Sequence, residues 1–306
     1  MTAALAWVGA NARPLLALAA ALCFVAPGLS TTLRPFLPLN VVLVLGLAMA
    51  RIELLAAARD ALRLQAAASL VGIVLALVPA SALAYLGSAR ALGFGADLTG
   101  ALIYLAAAPP IASAGGLCFI LGLDARRAIE VTIAATLLTP ILGPLTVEIL
   151  LPGGTPLSPA ALGRYLALMI AGGVALAVAI RGLAGPETVA RNPRVLDGLA
   201  TLALIGMVLP LFAGVPALVR SEPVLAAGLL TVAVAANLGV NLAIRAALAG
   251  RMGPERAGAY GLLFGNRTIA IYAAALPHDP RFALFVALYQ LPILLTPMLL
   301  PRRATN

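Results

Sequence analysis

Long apolar runs, separated by short polar breaks, set the pattern of this chain. Ten runs are each long enough to cross a hydrocarbon core as a helix of about 20 residues. They lie at roughly 14–33, 36–56, 62–87, 98–122, 126–150, 159–181, 196–219, 223–247, 256–277 and 281–301. The connections leave no room for a soluble domain, so 1–306 reads as one membrane domain. The first run follows Arg13 but is long for the apolar core of a signal peptide.

Two of the runs are interrupted near their middles. The fourth contains Ala107-Ala108-Pro109-Pro110-Ile111-Ala112-Ser113-Ala114-Gly115-Gly116. Two successive prolines lack N–H groups and clash with the preceding turn, so a helix cannot continue through them. Backbone opened at bilayer depth must be buried in protein or line a wet cavity. The ninth run has Leu263-Phe264-Gly265-Asn266-Arg267-Thr268 at its middle, and a break is expected there too.

The two halves share a trace. Leu137-Leu138-Thr139-Pro140-Ile141-Leu142-Gly143-Pro144 ends the fifth run, and Leu294-Leu295-Thr296-Pro297-Met298-Leu299-Leu300-Pro301 ends the tenth. Pro140 and Pro297 are 157 residues apart, and the same offset carries Pro109-Pro110 onto Asn266-Arg267. This predicts two repeats, at about 10–152 and about 158–303, with five spans in each. An odd number of spans places the copies in opposite orientations, an arrangement typical of secondary transporters.

Composition narrows the class. The chain is 62% hydrophobic and 10% charged, against about 45–50% and about 25% in soluble domains. Too little polar surface remains for a soluble enzyme. The apolar content excludes disorder. Two cysteines, Cys23 and Cys118, exclude a disulfide scaffold. The net charge of +9 does not indicate nucleic acid, because the arginines sit singly or in pairs between apolar runs. Of the 20 basic residues, 14 fall on one side when the runs alternate. The other side receives Arg34, Arg90, Arg164, Arg220 and Arg281, and Arg267 falls inside a run. The positive-inside rule then places both termini in the cytoplasm of a multi-pass inner (plasma) membrane protein.

Arg267 is the candidate around which chemistry gathers. An arginine at a helix centre costs about 2.5–3.5 kcal/mol on insertion scales and marks a cavity or partner. No Asp or Glu of the sequence falls near the middle of a run. An unpaired guanidinium suits a carboxylate or phosphate, and freed N–H groups at half-helix starts add positive dipole ends. The expected ligand is a small organic anion, bound by Arg267, Asn266, Thr268, Pro109, Pro110, Ser113, Gly115 and Gly116. Ser113, Thr132 and Asn266 form the candidate cation site. Asn237, Asn241 and Gln290 are further polar candidates within spans, and His278 reads as a surface residue. One histidine and no midplane acid argue against a membrane enzyme, and no filter motif suggests a channel. No organic cofactor or structural metal is expected.

These motifs resemble the bile acid:sodium symporter family, within a wider group of arsenite permeases and auxin carriers. The resemblance is carried by Ala108-Pro109-Pro110 through Ser113, by Gly122-Leu123-Asp124, by Leu138-Thr139-Pro140 and by Gly265-Asn266-Arg267-Thr268. It covers the whole chain. It implies that spans four and nine cross in a core, while spans one, two, six and seven form a panel that moves against it. The family's sodium sites are largely missing. Ala114-Gly115 stands where sodium-coupled members have a Ser-Asn pair, and Ala128, Val74 and Leu263 replace further ligands, whereas Thr132 matches. The resemblance therefore implies a secondary carrier of an organic anion without two-sodium coupling, leaving Na+ or H+ as the candidate coupling ion. The alternative is an arsenite-type or other sodium-independent permease, proton-coupled or uniport, with Cys118 as a thiol contact.

Overall fold

A computed structural model describes residues 2–51 and 64–300. The described chain is helical throughout, with no strand. Among the described residues, six helices are long and apolar enough to cross a membrane: Pro27–Ala50, Ala68–Ala91, Ala125–Leu150, Pro159–Ala184, Pro193–Leu211 and Pro223–Met252. The chain is thus an all-α protein of the multi-pass membrane type. A further pair, Thr2–Ala10 and Pro14–Val25, meets at 78°. The span ends expected at 52–56, 62–63 and 301 lie outside the described residues.

The expected first span, 14–33, is corrected. The chain breaks at Ala26 (φ −126°, ψ 66°), and a new helix starts at Pro27. Proline disfavours helical backbone in the residue before it and is well placed in a first turn. The helix from Pro27 then passes through a 3-10 turn, Arg34–Phe36, into Leu37–Ala50. Arg34-Pro35, expected to separate two spans, lies inside this helical run.

Helix contacts concentrate in two groups, which are joined by extensive packing of Pro159–Ala184 on Ala125–Leu150. Leu37–Ala50 lies between Pro159–Ala184 and Pro193–Leu211, and Thr2–Ala10 and Ala12–Val25 lie on Pro193–Leu211. In the second group, Leu64–Ala91 packs on Ala96–Ala107 and Ala125–Leu150, and Val240–Met252 packs on Pro254–Gly265. Small residues allow the closest approaches in the first group. A Cβ on Gly173 would lie 2.9 Å from Leu45 Cβ, and one on Gly46 would lie 2.6 Å from Leu176 Cδ2. Gly173→Val should therefore cost about 1–3 kcal/mol through overpacking. Gly182→Val, on the same helix with open space around it, serves as the control. A thermal midpoint in detergent that drops equally for both variants would remove this account of the contact.

Candidate functional site

Both expected interruptions are present. Ala96–Ala107 ends before the proline pair, and the chain resumes as Ala114–Ile120. Pro254–Gly265 ends before Asn266-Arg267, and the chain resumes as Ala270–Ala275. Ala108, preceding a proline, is extended (φ −71°, ψ 146°), as is Asn266 (φ −114°, ψ 103°). Pro110 and Arg267 meet there as an isolated antiparallel bridge. Ile111 N–H donates to Asn266 O at 3.0 Å, and Thr268 N–H donates to Pro109 O at 2.8 Å. Thr268 Oγ1 adds a bond to Pro110 O at 3.2 Å. Each break thus supplies partners for backbone groups opened by the other, which is how irregular backbone is tolerated away from water.

Arg267 is 1% exposed. Its Nε donates to Phe264 O at 3.2 Å and its Nη1 to Ala108 O at 2.9 Å. Its Nη2 reaches Leu77 O at 3.3 Å and Ser81 Oγ at 3.1 Å. The guanidinium also lies 5.9 Å from the centre of the Phe264 ring, within cation–π range. This corrects the expectation of an unpaired guanidinium. Prolines explain part of it. The proline pair ends Ala96–Ala107 and leaves Ala108 O outside a helix, while Leu77 O, which also accepts from Ser81 Oγ, lies within the Leu64–Ala91 helix. Among the described residues its partners are carbonyls and one hydroxyl, with no carboxylate. Its hydrogen bonds are met, and its charge is not neutralised.

A second polar cluster holds Asn266. Its Oδ1 accepts from Asn237 Nδ2 and from Thr296 Oγ1, both at 3.1 Å. Asn237 Nδ2 also donates to Gly265 O at 2.6 Å, and Tyr289 OH donates to the same carbonyl. Asn237 rides on a π-helical turn, Ala235–Gly239, a local widening that often marks functional positions. Tyr272 OH donates to Ala107 O at 3.2 Å, closing the end of the first half-helix.

Arg267, Asn266, Thr268, Pro109 and Pro110 thus come together at the crossing. Ser113 and Gly116 lie beside it on an exposed face, whereas Gly115 is buried, with Ile129 Cγ1 2.3 Å from where its Cβ would stand. Thr132 is buried and its hydroxyl has no partner. Among the described residues no hydrogen bond joins Ser113, Thr132 and Asn266, and the Asn266 carboxamide oxygen already serves Asn237 and Thr296. Asn241 is buried with its amide unpartnered, and Gln290 bonds within its own helix. His278 is exposed, and partial burial, then the charge of Arg34, lowers its pKa below the ordinary histidine value. Cys118 is fully buried.

Sequence reading missed Ser81, Tyr272, Tyr289, Thr296 and Arg34 as site residues. Thr296 stood in the repeated Leu-Leu-Thr-Pro motif, which was the available signal. Arg34 was assigned to a loop, yet its Nη2 donates to Ala273 O at 3.0 Å and its Nη1 is buried without a partner. A separate open cleft of about 410 Å³ is lined by Asp124, Arg126, Arg127, Glu130, Arg256 and Tyr260. Its charges are paired across the walls, Arg127 with Glu130 at 3.0 Å and Arg256 with Asp124 at 3.3 Å, so it reads as a surface network rather than a ligand site. Comparison with protein-family models and with curated proteins matches this chain to none of them.

Proposed function

We propose that the chain is a secondary active transporter of a small organic anion, working by alternating access between two inverted five-helix repeats. The carrying observation is the reciprocal crossing of two interrupted helices around a guanidinium that no carboxylate neutralises. Pro110 and Arg267, the bridged pair, are related by the 157-residue offset. Under the same offset, the bond from Ile111 N–H to Asn266 O becomes the bond from Thr268 N–H to Pro109 O. An antiparallel bridge exchanges its bonds this way wherever it forms; what supports the repeat is that the bridge centres on a pair related by the offset of the Thr-Pro motifs.

The ion pairs support the ten-crossing topology with both termini in the cytoplasm. Arg281 reaches Asp97 at 2.8 Å and Glu222 at 3.7 Å, and alternation puts all three outside. Arg256 with Asp124, at 3.3 Å, and Arg51 with Asp197, at 2.6 Å, join groups that alternation puts inside. Membership in the bile acid:sodium symporter family is part of the proposal, with the two groups of contacts read as its core and panel and the packing of Pro159–Ala184 on Ala125–Leu150 as a seam between them. Arg267 then attracts the anion by its field and not by a bidentate fork, since its N–H groups serve carbonyls. A unit charge about 6 Å away at an effective dielectric near 20 is worth about 3 kcal/mol. The anion enters along the exposed face of Ser113 and Gly116.

The test is counterflow in proteoliposomes, with anions first chosen by a thermal-shift screen with and without sodium. Labelled anion should exchange against internal unlabelled anion at the same rate in sodium and in potassium. Exchange of neutral or cationic solutes in place of anions would sink the substrate class. Uptake that follows an imposed sodium gradient would sink the sodium-independent reading.

A further inference from the structure

The half-helices that follow the two interruptions are equivalent under the 157-residue offset, yet their surroundings differ. Ala114–Ile120 packs on Ala125–Leu150 and Pro254–Gly265 and leaves Ser113, Gly116 and Phe119 exposed. Ala270–Ala275 packs against Leu37–Ala50 and Pro159–Ala184, which belong to the other packing group. The pair Gly116 and Ala273 makes the contrast concrete. A Cβ at Gly116 meets nothing within 4 Å, whereas Ala273, its equivalent, is 3% exposed.

The covered end has a fastening. Ala273 O lacks its usual intrahelical donor, because the residue four positions on is Pro277, which has no N–H. Arg34 Nη2 takes that place at 3.0 Å. A cation is favoured at a helix C-terminus, where carbonyls are unpaired. Arg34 belongs to the 3-10 turn that leads into Leu37–Ala50, so the bond fastens the end of Ala270–Ala275 to that run, in addition to the helix packing that joins the two groups. The offset carries Arg34 onto Arg191. Arg191 ends the Pro186–Arg191 helix and is followed by Asn192-Pro193, as Arg34 is followed by Pro35. Arg191 pairs with Glu187, one turn earlier, and the two side chains are 79% and 81% exposed. An exposed pair of this kind exchanges readily for a better partner.

We propose that Arg34 and Arg191 are paired latches of a two-sided gate. In the form described here, Arg34 holds the Ala270–Ala275 side shut by capping Ala273 O. In the opposite form, Arg191 leaves Glu187 for the last turn of Ala114–Ile120, where Leu117 O, Cys118 O and Phe119 O already accept backbone N–H groups and take the guanidinium as a second donor, while Arg34 lets go. The inference rests on the alternating-access reading above.

The test uses the full chain with Cys23→Ala and Cys118→Ala, carrying either Gly116→Cys or Ala273→Cys. A membrane-impermeant maleimide is applied from each side of sealed vesicles. In the parent, Gly116→Cys labels quickly and Ala273→Cys slowly. Arg34→Ala should raise labelling at Ala273→Cys about tenfold and lower it at Gly116→Cys, the shift expected for losing one charge-assisted bond. Arg191→Ala, a change at an exposed side chain that the fold tolerates, should do the reverse. If neither variant moves the ratio while added anion or temperature still moves the two cysteines in opposite directions, the latches are wrong and alternating access stands. If both cysteines become reactive together in Arg34→Ala, the two sides do not alternate, and both readings fall.

Discussion

Arg267→Ala is expected to cost about 3–5 kcal/mol and to leave little folded protein. Truncating a large buried side chain and leaving a cavity costs about 2–5 kcal/mol, and stranded hydrogen-bond acceptors add to it. The reason is geometric. The side chain joins Ala108 O, Phe264 O, Leu77 O and Ser81 Oγ, which belong to three separate segments. Alanine strands Ala108 O and Phe264 O in a site that water does not reach, and each unsatisfied group costs about 1–3 kcal/mol, whereas Leu77 O and Ser81 Oγ keep the bond between them. Relief from burying an unneutralised charge offsets part of this loss. Arg267→Lys keeps the charge, but an ammonium on a flexible stem lacks the planar fork that reaches both helices. It should fall between parent and alanine. Thermal midpoints by fluorescence-detected size exclusion in detergent would rank the three. A parental midpoint for Arg267→Ala would mean that the guanidinium does not staple the crossing, and that its donors are free for a ligand.

That role was only half legible in the sequence. Pro109-Pro110 announced a break because a missing N–H is a local property, and Arg267 stood out because charge is scarce in this chain. Its partners did not stand out, because most of them are backbone carbonyls, and a carbonyl has the same chemistry at every residue. Leu77 O meets the guanidinium beside Ser81 Oγ, one turn on in the same helix and far from Arg267 in the chain. Ala273 became an acceptor through Pro277. The start of the second long helix was misplaced because Arg34-Pro35 carries both a charge and a proline. Ala26-Pro27 carries only the proline, yet the backbone breaks there. The π-helical turn at Ala235–Gly239 has no proline to announce it, so Asn237 was legible as a polar residue but not as the support of Asn266. The 157-residue offset, read from Thr139-Pro140 and Thr296-Pro297, also relates the two bridged residues at the crossing, Pro110 and Arg267.

Gly265→Ala should be the second most damaging single change, at about 2–3 kcal/mol, near the upper end for overpacking. Glycine to alanine within a helix ordinarily gains about 0.5–1 kcal/mol, so the sign depends on what the new methyl meets. Here it would lie 2.3 Å from Asn237 O, 2.9 Å from Asn241 Cβ and 3.1 Å from Asn241 N. These belong to the π-helical turn and the start of the helix after it, and backbone cannot swing aside as the end of a side chain can. Gly261, one turn earlier, makes the same kind of approach, with its Cβ position 2.6 Å from Asn241 O. Together they form a small-xxx-small seam of the sort that brings membrane helices close. Relief would require Pro254–Gly265 to move away from the turn. That would stretch the bonds from Asn237 and Tyr289 to Gly265 O and release Asn266 from its support. The damage should therefore reach function as well as stability, with anion exchange lost at temperatures where the variant is still folded. Gly228→Ala, on Pro223–Val234 and away from the crossing, is the matched control, since its methyl enters open space. If Gly265→Ala melts and exchanges like Gly228→Ala, the seam is looser than described, and the crossing does not depend on it.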